Sequence, residues 1–507
     1  MSLRPAAVAW LAALATLILW WPLRDFMPDD AFIHLQFAKH LRDGHGLVFN
    51  VGERVYGTTS PAWSALLGLL GGLGLDLRDA ARGLSLLCAL AASALGARVF
   101  ARFVGGAGGA AAPPIAALAA LAWATDAWFL RWAGSGMETS FAVLCVLAGF
   151  DRYTATRPWG ARPFAPALLW SLAGLARPES GLLVLLLALR VGLEPGSRAA
   201  RAKSAAMALA PAALMGGAWT AWAWAYYGTP LPITLAAKSS EYAGWGGAAQ
   251  IVLLIASEFA VSRPVECAAL VLLGPAFFAA ERAAGRGREH VVPLGWLVAL
   301  PAFYAATGVP GVTRYIVPLA PVLVAYGWRL LAPHLRAAPR AAATFAVAIG
   351  VGLGAYLFVV VPQARTFTKG VEATLADQGR WFAANTPAGT RVAIRDIGAF
   401  AYYADRPVVD LAGLVTPEMG SLMQGHTYDD IALGLRFASF ARPEYSIDAA
   451  TEPARMKADS PFGGCLALVR EGRLDRRAIR KPEPAWFSAY RIDWECVDRV
   501  RAAPSAP

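Results

Sequence analysis

The stretch that decides the fold lies just beyond the first apolar segment and reads PDDAFIHLQFAKHLRDGHGLVFNVGERVYGTTSPAW, residues 28–63. It begins with two adjacent aspartates, Asp29 and Asp30, soon after an apolar run from Pro5 to Leu23. Carboxylates close to lipid are costly and are usually retained there for a function. The pair therefore predicts a functional site in the first loop, residues 24–78.

The composition around this loop is that of a membrane protein. Of the 507 residues 57% are hydrophobic and 16% are charged, with a mean hydropathy of +0.45, whereas soluble domains carry roughly 25% charged residues. Apolar runs of roughly 17–25 residues recur, and such runs are long enough to cross a bilayer. The net charge of +11 resides mostly in short loops, which indicates the positive-inside pattern and no nucleic-acid partner.

We predict an α-helical polytopic membrane protein with about eleven transmembrane helices. Their expected positions are 5–23, 79–101, 113–129, 137–151, 164–176, 179–192, 204–226, 262–281, 291–307, 315–332 and 341–361. The apolar stretches 61–75 and 246–259 are short, and we expect them to be interfacial or re-entrant. The first run ends in Trp-Trp-Pro-Leu-Arg and lacks the small residues of a cleavage site, so we expect an uncleaved anchor.

The charges in the loops orient these spans. Groups of cations at 98–102, 152–162, 198–203, 282–288 and 329–340 fall on alternate turns, on the same side as the N-terminus. This distribution predicts a cytoplasmic N-terminus. The first loop and the C-terminal part are then extracytoplasmic.

The composition changes after residue 361. Charged residues become frequent, short alternating runs occur at 391–395, 407–410 and 465–469, and 369–385 has a helical pattern. We therefore predict a membrane domain over 1–361 and an extracytoplasmic soluble α/β domain over 362–507, with glycan or acceptor binding as one role for it. Cys465 and Cys496 lie in this domain and could pair outside the cytoplasm, although the sequence fixes no distance between them.

The aspartate pair has a catalytic and a structural interpretation. A carboxylate can take a proton from an acceptor hydroxyl while that oxygen attacks an activated carbon, with a second acid orienting the first. Alternatively, one aspartate caps the amphipathic helix that follows. Asp30 and His34 share a helix face, so a metal site is a third alternative, but no HExxH or CxxC spacing supports a catalytic zinc.

Four further groups of residues carry chemistry near predicted span ends. Glu138 begins a span and could bind a sugar hydroxyl or cap its helix. Arg177 and Glu179 break two short apolar helices and could bind a phosphate or form a structural pair. Lys238 and Arg314 (the latter followed by Tyr315) could neutralise a phosphate leaving group or contact lipid headgroups.

Other functional classes have weaker support. The sequence contains no Walker A motif, which argues against ATP-driven transport. It also contains no glycine-rich dinucleotide fingerprint after a strand. A secondary transporter or flippase is an alternative of a different class, but transporters often have inverted repeats and acids in the middle of their spans. Here the acids lie in a loop, and a large polar domain follows the spans.

The ordered motifs resemble those of GT-C glycosyltransferases, the integral-membrane class that uses polyprenyl-phosphate sugars. The closer resemblance is to the terminal β-(1→2)-arabinofuranosyltransferase branch of cell-wall arabinan synthesis. It rests on Asp29–Ile33, Gly46–Asn50 with Gly52–Arg54, Ser135–Thr139, Arg177–Glu179, Tyr227–Pro232 with Lys238, Arg314–Tyr315 and Asp396–Leu414. In related sequences an acid and a tyrosine follow Gly-Glu-Arg-Val; this chain has Tyr56-Gly-Thr-Thr59, which leaves the donor sugar open.

The resemblance implies an inverting transfer from a polyprenyl-phosphate sugar, such as a pentose, to an extracytoplasmic glycan or lipid-glycan. It implies a bacterial inner-membrane location, Asp29 as general base and Asp30 as the orienting acid. The expected substrate-binding residues are His45, Asn50, Arg54, Tyr56, Thr59, Glu138, Arg177, Glu179, Lys238, Arg314, Tyr315 and Asp396. No cofactor is certain, and a divalent cation is an open alternative. Transfer of another sugar to lipopolysaccharide, lipid or protein is the other enzymatic reading.

Overall fold

The protein is described from a computed structural model, which covers residues 4–105, 112–234, 244–309, 313–335, 338–479 and 483–503. Within these residues the chain is mainly helical, with one sheet near its C-terminal end. The predicted α-helical polytopic fold with a C-terminal α/β domain is confirmed.

The first part of the chain consists mainly of helices. They are α1 (Pro5–Trp20), α2 (Asp29–Arg42), α3 (Pro61–Gly72), α4 (Leu77–Gly105), α5 (Ala112–Ala124), α6 (Ala127–Trp132), α7 (Thr139–Tyr153), α8 (Phe164–Ala176), α9 (Leu182–Gly192), α10 (Arg198–Tyr227), α11 (Gly244–Ser262), α12 (Pro264–Ala283), α13 (Val291–Thr307), α14 (Thr313–Ile316), α15 (Ala320–Leu331), α16 (Ala338–Ala355), α17 (Val361–Val371) and α18 (Asp377–Asn385).

Six helical segments of the described chain are long and apolar enough to cross a membrane. They are Pro5–Leu23, Leu77–Gly105, Pro264–Ala283, Gly287–Thr307, Thr313–His334 and Pro339–Asn385. Shorter apolar helices are Pro113–Ala124, Phe164–Ala176 and Gly246–Ser262. These segments support a multi-pass membrane protein, and the number of eleven spans stays a prediction.

The predicted span 113–129 is wrong as a continuous helix. It breaks at Asp126, whose carboxylate accepts a hydrogen bond from the backbone N–H of Phe129 (2.7 Å) and so begins the short helix α6. The same carboxylate pairs with Arg263 at 2.7 Å, and both side chains are 1% exposed. A buried charge has to be paired, so the break provides a partner for Arg263.

The last predicted span, 341–361, belongs to a longer helix. The helical segment Pro339–Asn385 runs for 47 residues and includes two π-helical stretches, Tyr356–Val360 and Glu372–Ala376. It confirms the helix expected over 369–385. The segment also passes through the predicted domain boundary at 361/362, so a continuous helix joins the two predicted domains.

The C-terminal part folds as one five-stranded sheet with helices. The strands are β1 (Val392–Ile394), β2 (Val408–Asp410), β3 (Tyr445–Ala450), β4 (Leu466–Leu474) and β5 (Ala485–Ile492), in the order β2-β1-β3-β5-β4. β1 is parallel to β2 and β3, whereas β5 is antiparallel to β3 and β4. The helices here are α19 (Ile397–Ala404), α20 (Met419–Met423), α21 (Tyr428–Leu433), α22 (Arg455–Asp459), α23 (Arg476–Ile479) and α24 (Trp494–Ala502).

A disulfide closes the end of this domain. Cys465 and Cys496 are bonded, with their Cα atoms 5.5 Å apart, which settles the pairing that the sequence left open. The bond joins the residue just before β4 to α24. Disulfides persist in oxidising compartments, so this contact is consistent with an extracytoplasmic domain.

Candidate active site

A cavity of about 620 Å³ lies against the first loop. The start of α2, the loop before α3, the beginning of α7 and the turn after α8 form much of its wall, together with faces of α10, α13 and α14. Its polar lining consists of Asp30, His34, Tyr56, Thr58, Thr59, Ser60, Glu138, Ser171, Arg177, Glu179, Thr220, Thr234, Tyr304, Thr307, Arg314 and Tyr315. The cavity therefore brings together residues that are far apart in the sequence.

Asp30 presents a carboxylate to this cavity. Its Oδ2 pairs with Nη2 of Arg314, and 40% of the Asp30 side chain is exposed. The same guanidinium group donates to the hydroxyl of Tyr315 (3.1 Å) and lies 4.9 Å from the centre of that ring. Residues 30 and 314 come from opposite ends of the membrane domain. Their pairing places an acid, a cation and a phenol side by side on the cavity wall.

Arg177 is held by two carboxylates beside this group. Its Nη1 donates to Glu138 at 2.7 Å and its Nε donates to Glu179 at 2.8 Å. Tyr304 donates its hydroxyl proton to the same oxygen of Glu179, at 2.5 Å. The Arg–Glu pair that the sequence left open is thus present. Arg177 is 5% exposed, so these groups form a buried polar network in the cavity wall.

His34 extends this network along the face that it shares with Asp30. Its Nε2 lies 3.2 Å from Oε2 of Glu138, and its Nδ1 lies 3.3 Å from the hydroxyl oxygen of Ser64. Glu138 therefore joins α2 to Arg177. The described residues contain no group of three or more His, Cys, Asp or Glu side chains that could hold a metal ion.

Asp29 has a different environment from its neighbour and does not line the cavity. Its two carboxylate oxygens accept backbone hydrogen bonds from Gly398 (3.0 Å) and Ala399 (2.7 Å), at the first turn of α19. α2 itself has no side-chain cap; the Asp29 carboxylate instead accepts hydrogen bonds from two N–H groups at the start of a helix in the C-terminal domain. Burial, followed by repulsion from Asp396, raises the pKa of Asp29 to about 7, against the opposing effect of the two N–H groups.

Aromatic side chains form another wall. Tyr56 and Trp219 both line the cavity, and the indole N–H of Trp219 donates to the Tyr56 hydroxyl at 2.6 Å. The ring of Tyr56 stacks on Tyr227, with centres 5.0 Å apart. Thr59, the other residue expected from this loop, also lines the cavity. These contacts fix the loop before α3 against α10.

Three of the expected binding residues lie away from the cavity lining. Asn50 donates to the backbone oxygen of Val408 (2.9 Å) and accepts from its N–H (3.1 Å), so its amide is used to hold β2. Arg54 is exposed, and its guanidinium lies 4.7 Å from the centre of the Tyr226 ring. His45 is exposed and lies edge-on to His40. Each of these three side chains contacts another residue of the protein outside the cavity lining.

Two further expectations have other outcomes. Asp396 precedes α19 and raises the pKa of Asp29, but it does not line the cavity. Lys238 lies outside the described residues.

The sequence reasoning missed several residues of the cavity wall. Trp219 and Tyr304 lie within apolar helices. Each is an aromatic residue with a polar group at its tip, and that combination in an apolar helix is the one sequence feature that could have indicated them. Leu414 comes from the C-terminal domain, and nothing in its local sequence indicates contact with the membrane domain. The contact of Leu414 with the cavity could not be predicted because Leu414 is far from the first loop in the sequence.

Comparison with known proteins supports the observed architecture. Residues 365–500 match the family described as Domain of unknown function (DUF8728). The terminal β-(1→2)-arabinofuranosyltransferase of Corynebacterium glutamicum is 30% identical over 252 residues, which cover 44% of this chain and 34% of that protein. The match thus spans about a third of this curated relative. It agrees with the resemblance predicted from the motifs.

Solved structures match over nearly the whole chain. ArnT from Cupriavidus metallidurans bound to undecaprenyl phosphate has a TM-score of 0.56 at 13% identity, covering 95% of this chain and 98% of that one. The Archaeoglobus fulgidus oligosaccharyltransferase tethered with an acceptor peptide has a TM-score of 0.61 at 13% identity, covering 89% of this chain and 69% of that one. The chain therefore has the predicted GT-C fold.

Proposed function

We propose that this protein is a membrane glycosyltransferase that moves a sugar from a polyprenyl-phosphate donor to an extracytoplasmic glycan or lipid-glycan acceptor. The observation that carries the proposal is the cavity in which Asp30 lies beside Arg314 and Tyr315. The sugar is a pentose such as arabinofuranose, as the name of the Corynebacterium relative suggests. The undecaprenyl phosphate bound to ArnT supports the class of donor.

Asp30 acts as the general base in this proposal. A base has to reach the proton that it removes, and Asp30 faces the cavity whereas both oxygens of Asp29 accept backbone hydrogen bonds. The role expected for Asp29 from the resemblance therefore passes to its neighbour. Asp30 takes the proton of the acceptor hydroxyl as that oxygen bonds to the anomeric carbon. The bond from that carbon to the phosphate oxygen breaks with inversion.

The leaving phosphate needs positive charge and hydrogen-bond donors. Arg314 presents its guanidinium group at the cavity wall, and Tyr315 adds a hydroxyl beside it. Arg177 is already surrounded by Glu138 and Glu179. We therefore assign phosphate binding to Arg314 and assign Arg177 to holding the cavity wall, and Lys238 stays a candidate for the phosphate.

The location and the acceptor are also part of the proposal. The loop charges support a cytoplasmic N-terminus and an extracytoplasmic C-terminal domain, and the disulfide supports the placement of that domain. The bacterial inner membrane is proposed from the resemblance to GT-C glycosyltransferases. A protein or lipid acceptor is the alternative, and the acceptor peptide of the archaeal oligosaccharyltransferase favours testing it.

The test is a transfer assay with purified protein in nanodiscs. The donors are a panel of prenyl-phosphate pentoses and hexoses, and the acceptors are an arabinan oligosaccharide and a peptide, each with and without EDTA. We expect transfer of one sugar by the wild type and by Asp43→Asn, an exposed acid of the same loop, and none by Asp30→Asn. Full transfer by Asp30→Asn would remove Asp30 as the base, and no transfer from any donor would contradict the proposed function.

A further inference from the structure

We propose that the C-terminal α/β domain sets the position of the first turn of α2, which carries Asp30. Asp29 is the positioning residue through which the domain acts. The inference rests on the proposed function, because it concerns how Asp30 is aimed. It assigns a role to the domain of unknown function that residues 365–500 match. The domain binds the first turn of α2 and also contributes Leu414 to the wall of the cavity.

The contact between the domain and α2 begins at Asp29. Its carboxylate binds the two N–H groups at the start of α19, and the positive end of a helix favours such an anion. The backbones approach closely at the same point. A Cβ atom on Gly398 would overlap the carbonyl oxygen of Asp29 and lie 2.8 Å from its carboxylate. Only glycine at residue 398 allows this contact.

Further contacts follow α2 away from the aspartates. The ring of Phe32 lies 5.6 Å from that of Tyr402 and 5.7 Å from that of Tyr403. One end of the helix is tied by Lys39, whose Nζ lies 2.6 Å from Oδ1 of Asp405. α2 therefore rests on α19 from its first residue to its last turns. The interface is polar at both ends and aromatic between them.

This interface determines where Asp30 points. Successive residues of an α-helix are about 100° apart, because there are about 3.6 residues per turn. Asp29 is directed to α19, and Asp30 is consequently directed to the cavity. A displacement of about 1 Å at a catalytic group can lower a rate roughly 10²-fold. Fixing Asp29 therefore fixes the distance from Asp30 to an acceptor hydroxyl.

The domain also reaches the cavity directly. Leu414 lines it, and the backbone of Leu414 passes so close to Gly57 that a Cβ there would lie 2.7 Å from its carbonyl oxygen. Asp410 holds this loop, because its carboxylate accepts hydrogen bonds from Ala412 (2.8 Å) and Val415 (2.9 Å). The cavity is thus completed by a residue that the domain supplies.

The test perturbs the interface from the domain side and removes no reactive group. Gly398→Ala inserts a methyl group against Asp29, and alanine is itself the better helix former. Gly420→Ala is the matched control, since its Cβ would have no atom within 4 Å. Transfer kinetics, donor binding and thermal unfolding are measured for both variants in nanodiscs, with Asp29→Asn as a second variant that keeps one acceptor oxygen.

We expect Gly398→Ala to lower kcat roughly 10- to 100-fold and also to lower the unfolding temperature, because the added Cβ would overlap the carbonyl oxygen of Asp29. The donor Kd should stay near that of the wild type, and Gly420→Ala should match the wild type in all three measurements. Asp29→Asn should lower kcat in the same direction and keep measurable transfer. Wild-type kcat in Gly398→Ala would overturn the positioning role. If that variant does not fold, wild-type kcat in Asp29→Asn would overturn it. Loss of donor binding in proportion to the loss of kcat would likewise overturn it, in favour of a purely structural contact. Dependence on Asp30 is measured separately, so the proposed function can survive either result.

Discussion

Replacement of Arg177 by methionine should destabilise the membrane domain strongly. The guanidinium donates to Glu138 (2.7 Å) and to Glu179 (2.8 Å), and only 5% of the Arg177 side chain is exposed. Methionine occupies a similar volume but has no charge, so both carboxylates stay buried without their shared cation. Breaking a buried ion pair from one side costs about 3–5 kcal/mol.

The assay is thermal unfolding in detergent, followed by the fluorescence of the 18 tryptophans. At about 2 °C per kcal/mol for a large chain, the expected loss is roughly 6–10 °C. Arg177→Lys should recover part of it, because the charge returns while the two-sided hydrogen bonding does not. The control is Arg442→Met, which removes an exposed pair with Asp498 (52% and 47% exposed) and should change little.

An unfolding temperature for Arg177→Met within about 2 °C of wild type would refute the reasoning. It would mean that Glu138 and Glu179 do not depend on the guanidinium for their burial. An equal loss in Arg442→Met would refute it in another way, because the assay would then not separate buried pairs from exposed ones.

Three other predictions concern single contacts. Cys465→Ser should lower the stability of the C-terminal domain by about 4 kcal/mol, from the 31-residue separation of the bonded cysteines; unfolding equal to wild type would contradict this. Burial raises the pKa of Asp410 to about 7, above its usual 3.8, so its stabilising contribution is complete below pH about 4 and is lost as the pH rises through about 7. From pH 4 to 8 the unfolding temperature should therefore fall less in Asp410→Asn than in the wild type. A steeper fall in the variant would contradict this and would mean that the backbone N–H groups lower the pKa of Asp410 more than burial raises it. Tyr304→Phe removes the hydrogen bond to Glu179 (2.5 Å) and should cost about 1–3 kcal/mol; a stability unchanged in denaturant titrations would contradict that.

The class of fold and the first loop as part of the candidate site could be predicted from the sequence because both depend on local patterns. Apolar runs follow from the thickness of a bilayer, and the acid pair stands out in the loop after the first run. The helix break at Asp126 escaped prediction because its partner, Arg263, lies 137 residues away. Within the run 113–129, Asp126 is one charge among apolar residues, which does not by itself predict the end of a helix.

The proposed division of roles between Asp29 and Asp30 could not be predicted from the sequence. Both are acids at the start of one helix, and a helix turns adjacent side chains in different directions. Which direction meets the cavity depends on Arg314 and on α19, which lie 284 and about 370 residues further along. The contact of Asn50 with Val408 could not be predicted for the same reason, because the two residues are 358 positions apart.

The most direct measurement of the central claim is transfer by Asp29→Asn and Asp30→Asn side by side, in nanodiscs with the prenyl-phosphate sugar that the wild type uses. Loss of a general base typically costs about 10²–10⁴-fold, whereas a positioning residue that keeps one hydrogen bond costs less. The account predicts no detectable transfer by Asp30→Asn and a reduced but measurable kcat in Asp29→Asn, with donor binding retained in both. The reverse order, with Asp29→Asn inactive and Asp30→Asn active, would contradict it.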